Sequence, residues 1–360
     1  MRFYFEEAED WVRYKQEVAD EINAIGLPLV VFGRSVTSNP DFLKKIHVPV
    51  EYICSNTPTS WGSRLWGLEV ISPERMQEIY QTYTVLILAV DEDNKILRQL
   101  QRFPIPPVKI YKLDLHDEDR CAEYFYKMKP VIEAIYDRMG DQKSKEIYET
   151  LLRYRINRNP DLLAQFAAPD EPQYFPKTLG NRDPFLSKNE IFVDCGAYIG
   201  DTVEPFLAAV QGKYHSVYAF EPDQKNYGRL LEHARKYPNI TCRQAGVGDV
   251  TKEVRFSSRE TGSKADVAGD EVVRIEALDD VLSGVPVTYL KMDVEGMECP
   301  ALQGAKALIK TYRPKLAICT YHSNQDMVEV PRLILELNPD YQLFMRHYTT
   351  SLFETVCYAV

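Results

Sequence analysis

The run Ile191-Phe192-Val193-Asp194-Cys195-Gly196-Ala197-Tyr198-Ile199-Gly200-Asp201-Thr202 constrains this chain more than any other stretch. An apolar strand that ends in an acid, turns through two glycines and passes into a helix is the opening unit of a parallel α/β sheet, and it predicts a ligand pocket at the turn. Glycine there lets backbone N–H groups come close to a ligand, and the next helix turns its positive end to the same space. The spacing lacks the third glycine of a dinucleotide fingerprint, because Tyr198 occupies that place.

Two later strand ends belong with it. Ser216-Val217-Tyr218-Ala219-Phe220-Glu221-Pro222-Asp223 puts Glu221 at a strand end 27 residues after Asp194. In a βαβ unit the two ends lie side by side, so Glu221 is expected to face the glycine turn, where a carboxylate suits a vicinal diol. Thr288-Tyr289-Leu290-Lys291-Met292-Asp293-Val294-Glu295-Gly296-Met297-Glu298 gathers Lys291, Asp293, Glu295 and Glu298 at a third. The strand period sends Lys291, Asp293 and Glu295 to one side, and such charges are costly in a core unless they serve a site or one another.

Together the runs DCGAYIGDT, AFEPD and KMDVEGME resemble the FkbM-type family of S-adenosylmethionine-dependent methyltransferases. Thr320-Tyr321-His322, the 326–331 segment, Arg346-His347-Tyr348 and the closing 354–359 segment agree, and the resemblance covers residues 186–360. It implies a methyltransferase sheet with S-adenosylmethionine as cofactor. It places Asp194, Gly196, Ala197 and Gly200 around the methionine tail and ribose, with Tyr198 in the same turn. Glu221, with Pro222 beside it, takes the ribose hydroxyls, and Gln244 and Ala245 lie by the adenine. Asp201 and Thr202 contact the ligand or simply cap the next helix, and the sequence does not choose between these roles. Arg346, His347 and Tyr348 are implied to line the acceptor side. Without a pyrophosphate in the ligand, Tyr198 need not be glycine.

Methyl transfer to a hydroxyl also needs a base, and Asp293, Glu295 and His322 are the candidates, beside Lys291. Imidazole titrates near ~6.5 in its ordinary state, which suits neutral pH. Two other roles stay open for the same charges. Lys291 and Glu295 form an ion pair that fixes the loop, or Asp293 and Glu298 offer hard oxygen donors to a divalent cation. No residue is assigned as a metal ligand.

At 360 residues the chain favours two domains. Alternating strands and helices from Leu29 predict a smaller parallel Rossmann-like domain over residues 1–115, with strands near 29–32, 50–54, 69–71, 85–89 and 108–111. A helical connector and a linker, centred on the proline-rich 167–184 stretch, occupy 116–185, and the methyltransferase domain occupies 186–360. The N-terminal 31–38 run has no G-x-G-x-x-G, so a nicotinamide site there has little support.

A net charge of −10 opposes binding to nucleic acid. The seven cysteines are odd in number and scattered, as expected of reduced thiols. No apolar run is long enough to cross a bilayer and the N-terminus lacks a secretory h-region, so the expected compartment is the cytoplasm. The function expected is S-adenosylmethionine-dependent O-methylation of a sugar, glycan or natural-product precursor, the acceptor being a small molecule or sugar-nucleotide. A homodimer through the N-terminal domain is a further expectation. The rival readings are a non-catalytic ligand sensor or assembly module that keeps the pocket, and a nucleotide-sugar oxidoreductase.

Overall fold

The computed structural model describes residues 7–33, 40–88, 95–113, 121–157, 161–164, 172–257, 264–265 and 271–360. In the N-terminal part, α1 (Glu7–Ile25) precedes β1 (Leu29–Phe32), β2 (Tyr52–Cys54), the β3 (Arg64–Leu65) and β4 (Leu68–Ile71) hairpin, α2 (Pro73–Ile79), β5 (Thr84–Ile87), α3 (Lys95–Gln101) and β6 (Lys109–Lys112). The sheet order is β3-β4-β2-β1-β5-β6, parallel except for the hairpin. Leu29 and Val31 face one apolar cluster with Val18, Ala19 and Ile22 of α1, while Val30 and Phe32 face another with Met76 of α2 and Leu100 of α3. A strand buried on both faces reads as a continuous apolar run, which is how β1 and β5 were legible. Residues 34–38 of the first strand-to-loop run lie outside the described residues.

Four connector helices follow: α4 (Cys121–Lys127), α5 (Lys129–Asp137), α6 (Gln142–Asn157) and α7 (Asp161–Ala164). The C-terminal part contains β7 (Ile191–Cys195), α8 (Val203–Ala209), β8 (Ser216–Phe220), α9 (Gln224–Ala234) and β9 (Ile240–Arg243). Next come β10 (Gly246–Val247), β11 (Lys252–Ser257), β12 (Lys264–Ala265), β13 (Glu271–Glu276) and α10 (Leu278–Val281). The chain ends with β14 (Tyr289–Met292), α11 (Glu298–Gln303), α12 (Lys306–Tyr312), β15 (Lys315–Cys319), α13 (Asp326–Leu337), β16 (Leu343–His347) and β17 (Thr355–Ala359).

Seven of these strands form one sheet in the order β16-β17-β15-β14-β7-β8-β9, with β17 antiparallel to both its neighbours. Strands β10 to β13 form a separate four-stranded sheet. The chain order reverses between β7 and β14, so the crevice at their carboxyl ends is the topological switch point where open α/β sheets bind ligands.

The connector belongs to the core of this domain. On one face of the sheet, Ile132 and Ile135 of α5 and Ile147 and Leu151 of α6 pack with Val193, Leu290 and Leu316. On the other, Tyr174, Phe175, Phe185 and Leu186 join Phe192, Phe206 and Tyr289. Phe192 stacks between Phe206 and Tyr289 at centroid distances of 4.6 and 5.2 Å. Such pairs contribute about 0.5–1.5 kcal/mol each beyond area burial. The stretch expected to be a linker is therefore, from residue 172 onward, buried aromatic packing that proline content had disguised.

Two helices have causes that local pattern does not carry. The 298–312 segment is split into α11 and α12 at Gly304, where a Cβ would lie 1.9 Å from the Gly248 carbonyl oxygen. Conversely, α13 runs unbroken through Pro331, whose ring is buried with Val328, Val330 and Ile334 on the side facing the sheet. Burial of that apolar face offsets the one missing helical hydrogen bond.

Candidate functional site

At the first strand end, Asp194 is buried and accepts a hydrogen bond from the Thr202 hydroxyl. Thr202 makes no side-chain cap to α8, so its hydroxyl serves Asp194 and the capping alternative falls away. Asp201 is exposed. The glycine turn differs from expectation in its cause. Gly196 has φ +77°, and an added Cβ would sit 1.8 Å from the carbonyl oxygen of Asp293. Its N–H and that of Ala197 both donate to the Phe220 carbonyl, at 3.0 and 2.9 Å. The glycine thus allows two strand-end loops to touch, and these N–H groups are not free for a ligand.

At the second end Glu221 is buried, and its two carboxylate oxygens accept from the backbone N–H of Tyr198 and of Asp223, each at 2.9 Å. Desolvation outweighs these hydrogen bonds and pushes its pKa up to about 7. Tyr198 is half exposed with φ +46°, a left-handed conformation that aims its N–H at Glu221. Asp223 caps α9 through the Asn226 N–H at 2.8 Å. At the third edge Gln244 is exposed and Ala245 buried. Gly246 lies against Ile275, whose Cδ1 would be 2.8 Å from an added Cβ, and Pro222 borders the same position.

Register places Lys291 beside Asp194 on neighbouring parallel strands. Its Nζ is 3.0 Å from Asp194 Oδ1, donates to the Gly196 carbonyl at 2.8 Å and lies 5.1 Å from the Tyr174 ring centroid. Despite burial, the Asp194 charge holds the ammonium pKa above its usual range. The ion pair expected between Lys291 and Glu295 is absent, because cross-strand pairing gives Lys291 a nearer, buried carboxylate.

Asp293, one residue past β14, is ringed by donors. Tyr174 Oη donates to Oδ2 at 2.8 Å, Tyr321 Oη donates to Oδ1 at 3.0 Å, and His322 Nε2 stands 3.3 Å from Oδ1. Burial opposes ionisation, yet His322, Lys291 and Tyr174 hold this carboxyl well below the usual range. His322 faces fully buried Glu298 on its other side, with Nδ1 3.1 Å from Oε1. Against the desolvation of its own burial, Asp293 and Glu298 push its pKa up to about 10. The neutral imidazole expected near physiological pH is therefore an imidazolium here. Glu295 takes φ +57° and its side chain is 64% exposed, with Oε2 3.7 Å from His322 Nε2. Protein on its inner side still raises its pKa by desolvation.

Three contributors escaped the sequence reading. Tyr174 enters from the supposed linker, and its backbone N–H donates to Tyr358 Oη at 2.9 Å. Arg155 of α6 is buried and donates to the Tyr321 carbonyl at 2.9 Å and to Asn324 at 2.7 Å, bracing the loop that carries His322. Tyr321 stood in a quoted motif without a role. Only the tyrosine before His322 carried a local signal. The acceptor-side residues move elsewhere: Arg346 pairs with Asp141 at 2.7 Å, His347 bonds Thr355, and Tyr348 bonds Tyr358. Desolvation lowers the buried His347 to about 4, leaving it neutral. These three fasten the connector and the last strands together.

Comparison with known proteins bears on this arrangement. Residues 194–349 match the family described as the methyltransferase FkbM domain. This part of the chain is a methyltransferase domain of the FkbM type. Among solved structures, the methyltransferase FkbM from Methylobacillus flagellatus KT superposes with a TM-score of 0.72 at 23% identity, covering 98% of this chain and 97% of that one. The whole chain thus shares its fold, N-terminal domain included. A putative methyltransferase from Streptococcus mutans in complex with SAH matches with a TM-score of 0.32 and 13% identity, over 49% of this chain and 91% of that one. Comparison with curated proteins returns no match. Among the described residues, no helix is long and apolar enough to cross a membrane.

Proposed function

We propose that this protein transfers the methyl group of S-adenosylmethionine to a hydroxyl oxygen of a small acceptor, a sugar, glycan or natural-product precursor. The observation that carries the proposal is the contact of the Gly196 turn with Asp293, which joins the Glu221 crevice to the Asp293, Glu295 and His322 cluster. Cofactor and acceptor sides then share one space at the switch point. A buried carboxylate with spare lone pairs suits the ribose diol, and Asp194, held by Lys291 and Thr202, fixes the turn around it.

In the reaction the acceptor oxygen attacks the methyl carbon in line. S-adenosylmethionine, held by Glu221 and the Asp194 turn, would supply a sulfonium-activated methyl carbon and keep the C–S electron pair on sulfur, while the hydroxyl proton would have to leave to a base. Asp293 and His322 face one another in the buried cluster, so Glu295, on the open side, takes the proton. Positioning of a carbon already activated by its sulfonium supplies much of the remaining acceleration. We place the reaction in the cytoplasm, and we assign the N-terminal domain to self-association.

Calorimetry with S-adenosylmethionine tests the cofactor, and absence of binding by the unaltered chain would end the proposal. For the base, Glu295→Gln should lower kcat by ~10²–10⁴-fold on any accepted hydroxyl. Cofactor affinity should stay unchanged, and so should stability, given the exposure of this side chain. Full activity in Glu295→Gln would move the base elsewhere.

A further inference from the structure

Among the buried side-chain atoms without a hydrogen-bond partner in the described residues, those of Glu298 and His322 lie side by side. Glu298 is fully buried, and its Oε2 has no hydrogen-bond partner. The His322 side chain is nine-tenths buried, and neither ring nitrogen is aligned in a hydrogen bond although carboxylates lie at 3.1 and 3.3 Å. A buried carboxylate oxygen without a donor keeps the full penalty of its desolvation, so such a group ordinarily has a partner. One ligand atom from each of Asp293, Glu298 and His322 falls within 4.8 Å of the others, close enough for a single ion to touch all three.

We infer that Asp293, Glu298 and His322 form a binding site for one divalent cation of the Mg2+ or Mn2+ class. Two carboxylates and one imidazole, which gives up its proton as the cation binds, are a hard to borderline donor set, and no thiolate lies among them to select a softer metal. The second coordination layer is already built. Tyr174 and Tyr321 donate to Asp293, and the Val294 N–H donates to Glu298 Oε1 at 2.9 Å. These bonds orient both carboxylates before a cation arrives. Arg155 steadies the His322 loop from behind through the Tyr321 carbonyl. The cluster opens to solvent on the Glu295 side, so an acceptor can complete the coordination there while Glu295 remains outside it.

What the ion would do rests on the methyl-transfer reading, whereas its binding does not. It would polarise the acceptor hydroxyl and lower its pKa, easing proton loss to Glu295.

The test uses the full chain without cofactor or acceptor, titrated with Mn2+ while electron paramagnetic resonance reports the free ion. One Mn2+ should bind per chain, and Glu298→Gln and His322→Gln should each weaken it by about tenfold or more. A wild-type chain that leaves Mn2+ free at millimolar concentration overturns the inference, as does unchanged binding in either variant once circular dichroism shows it folded. Should the variants not fold, the unaltered chain decides. Bound Mn2+ must broaden the ring resonances of His322 and spare those of the peripheral His215 and His233, and an unbroadened His322 overturns the site. S-adenosylmethionine calorimetry on the same metal-free sample tells failure of this site apart from failure of the methyltransferase reading.

Discussion

The two ends of the central strands carry the same residue types to opposite effect. At the amino ends, Glu190 is fully buried ahead of β7, and Lys315 at the start of β15 pairs with its Oε1 at 2.7 Å. The Ser187 N–H donates to the same oxygen at 2.6 Å, and the Thr288 hydroxyl donates to Oε2. Burial opposes the charge, but Lys315 and these donors hold the Glu190 pKa below its usual range. At the carboxyl ends, Asp194 and Lys291 are as deeply buried and as closely paired, yet next to them Glu298 and His322 keep atoms without aligned partners. Buried charge alone therefore does not mark a site. The mark is charge left partly unsatisfied beside an opening, and among the described residues at these two ends it belongs to the carboxyl ends.

The strongest way to break this comparison is Glu190→Ala. Loss of the carboxylate leaves the Lys315 ammonium without its partner in a nearly buried setting and should cost about 3–5 kcal/mol in urea unfolding. Affinity for S-adenosylmethionine in the fraction that stays folded should not change. If it falls with stability, the two ends are coupled and the distinction between them fails.

A smaller effect, opposite in kind, is expected at Glu221. Its folded pKa of about 7 lies above the ordinary carboxyl value, so the folded state holds a proton that the unfolded chain releases at lower pH. The stability this group contributes is complete below its unfolded pKa and is lost as pH rises through about 7. Binding of a diol runs the other way, because accepting two hydroxyl protons needs the carboxylate. Affinity for S-adenosylmethionine should therefore rise roughly tenfold from pH 6 to pH 8, following the ionised fraction of a group that titrates near 7. Glu221→Gln should flatten that profile in calorimetry, and a flat wild-type profile would take Glu221 out of the cofactor site.

Much of this arrangement was legible because strand ends in a parallel sheet are written locally. An apolar run ending in an acid identifies β7, β8 and β14, and the sheet rule alone brings Asp194, Glu221 and Asp293 to one crevice. The pairing of Lys291 was not legible, since it depends on register between strands about a hundred residues apart in sequence. The state of His322 was hidden for a like reason. Its ordinary pKa is a property of the residue, whereas its actual one is set by Asp293 and Glu298 from the β14 side of the crevice. Tyr174 and Arg155 left no trace in local pattern, because one sits among prolines and the other on a charged helix that looks solvated.

Tyr174 offers the finest test of the difference between the two ends. Its backbone is bound to Tyr358 and Tyr289, and its ring lies by Lys291, so Tyr174→Phe keeps all of these contacts and removes only the hydroxyl. The loss is one hydrogen bond to Asp293 Oδ2 and one contact with the Cys319 sulfur at 3.4 Å. Stability should fall by about 1 kcal/mol, the usual net value of one such bond. If Tyr174 acts on the reaction by orienting Asp293, kcat should fall several-fold while the S-adenosylmethionine Kd stays fixed. If it merely closes a polar network, as Thr288 does around Glu190, stability should fall alone and kcat should not move. Tyr321→Phe, which leaves Tyr174 in place on the other oxygen, should then repeat whichever pattern Tyr174→Phe shows, because both phenols act on the same carboxylate.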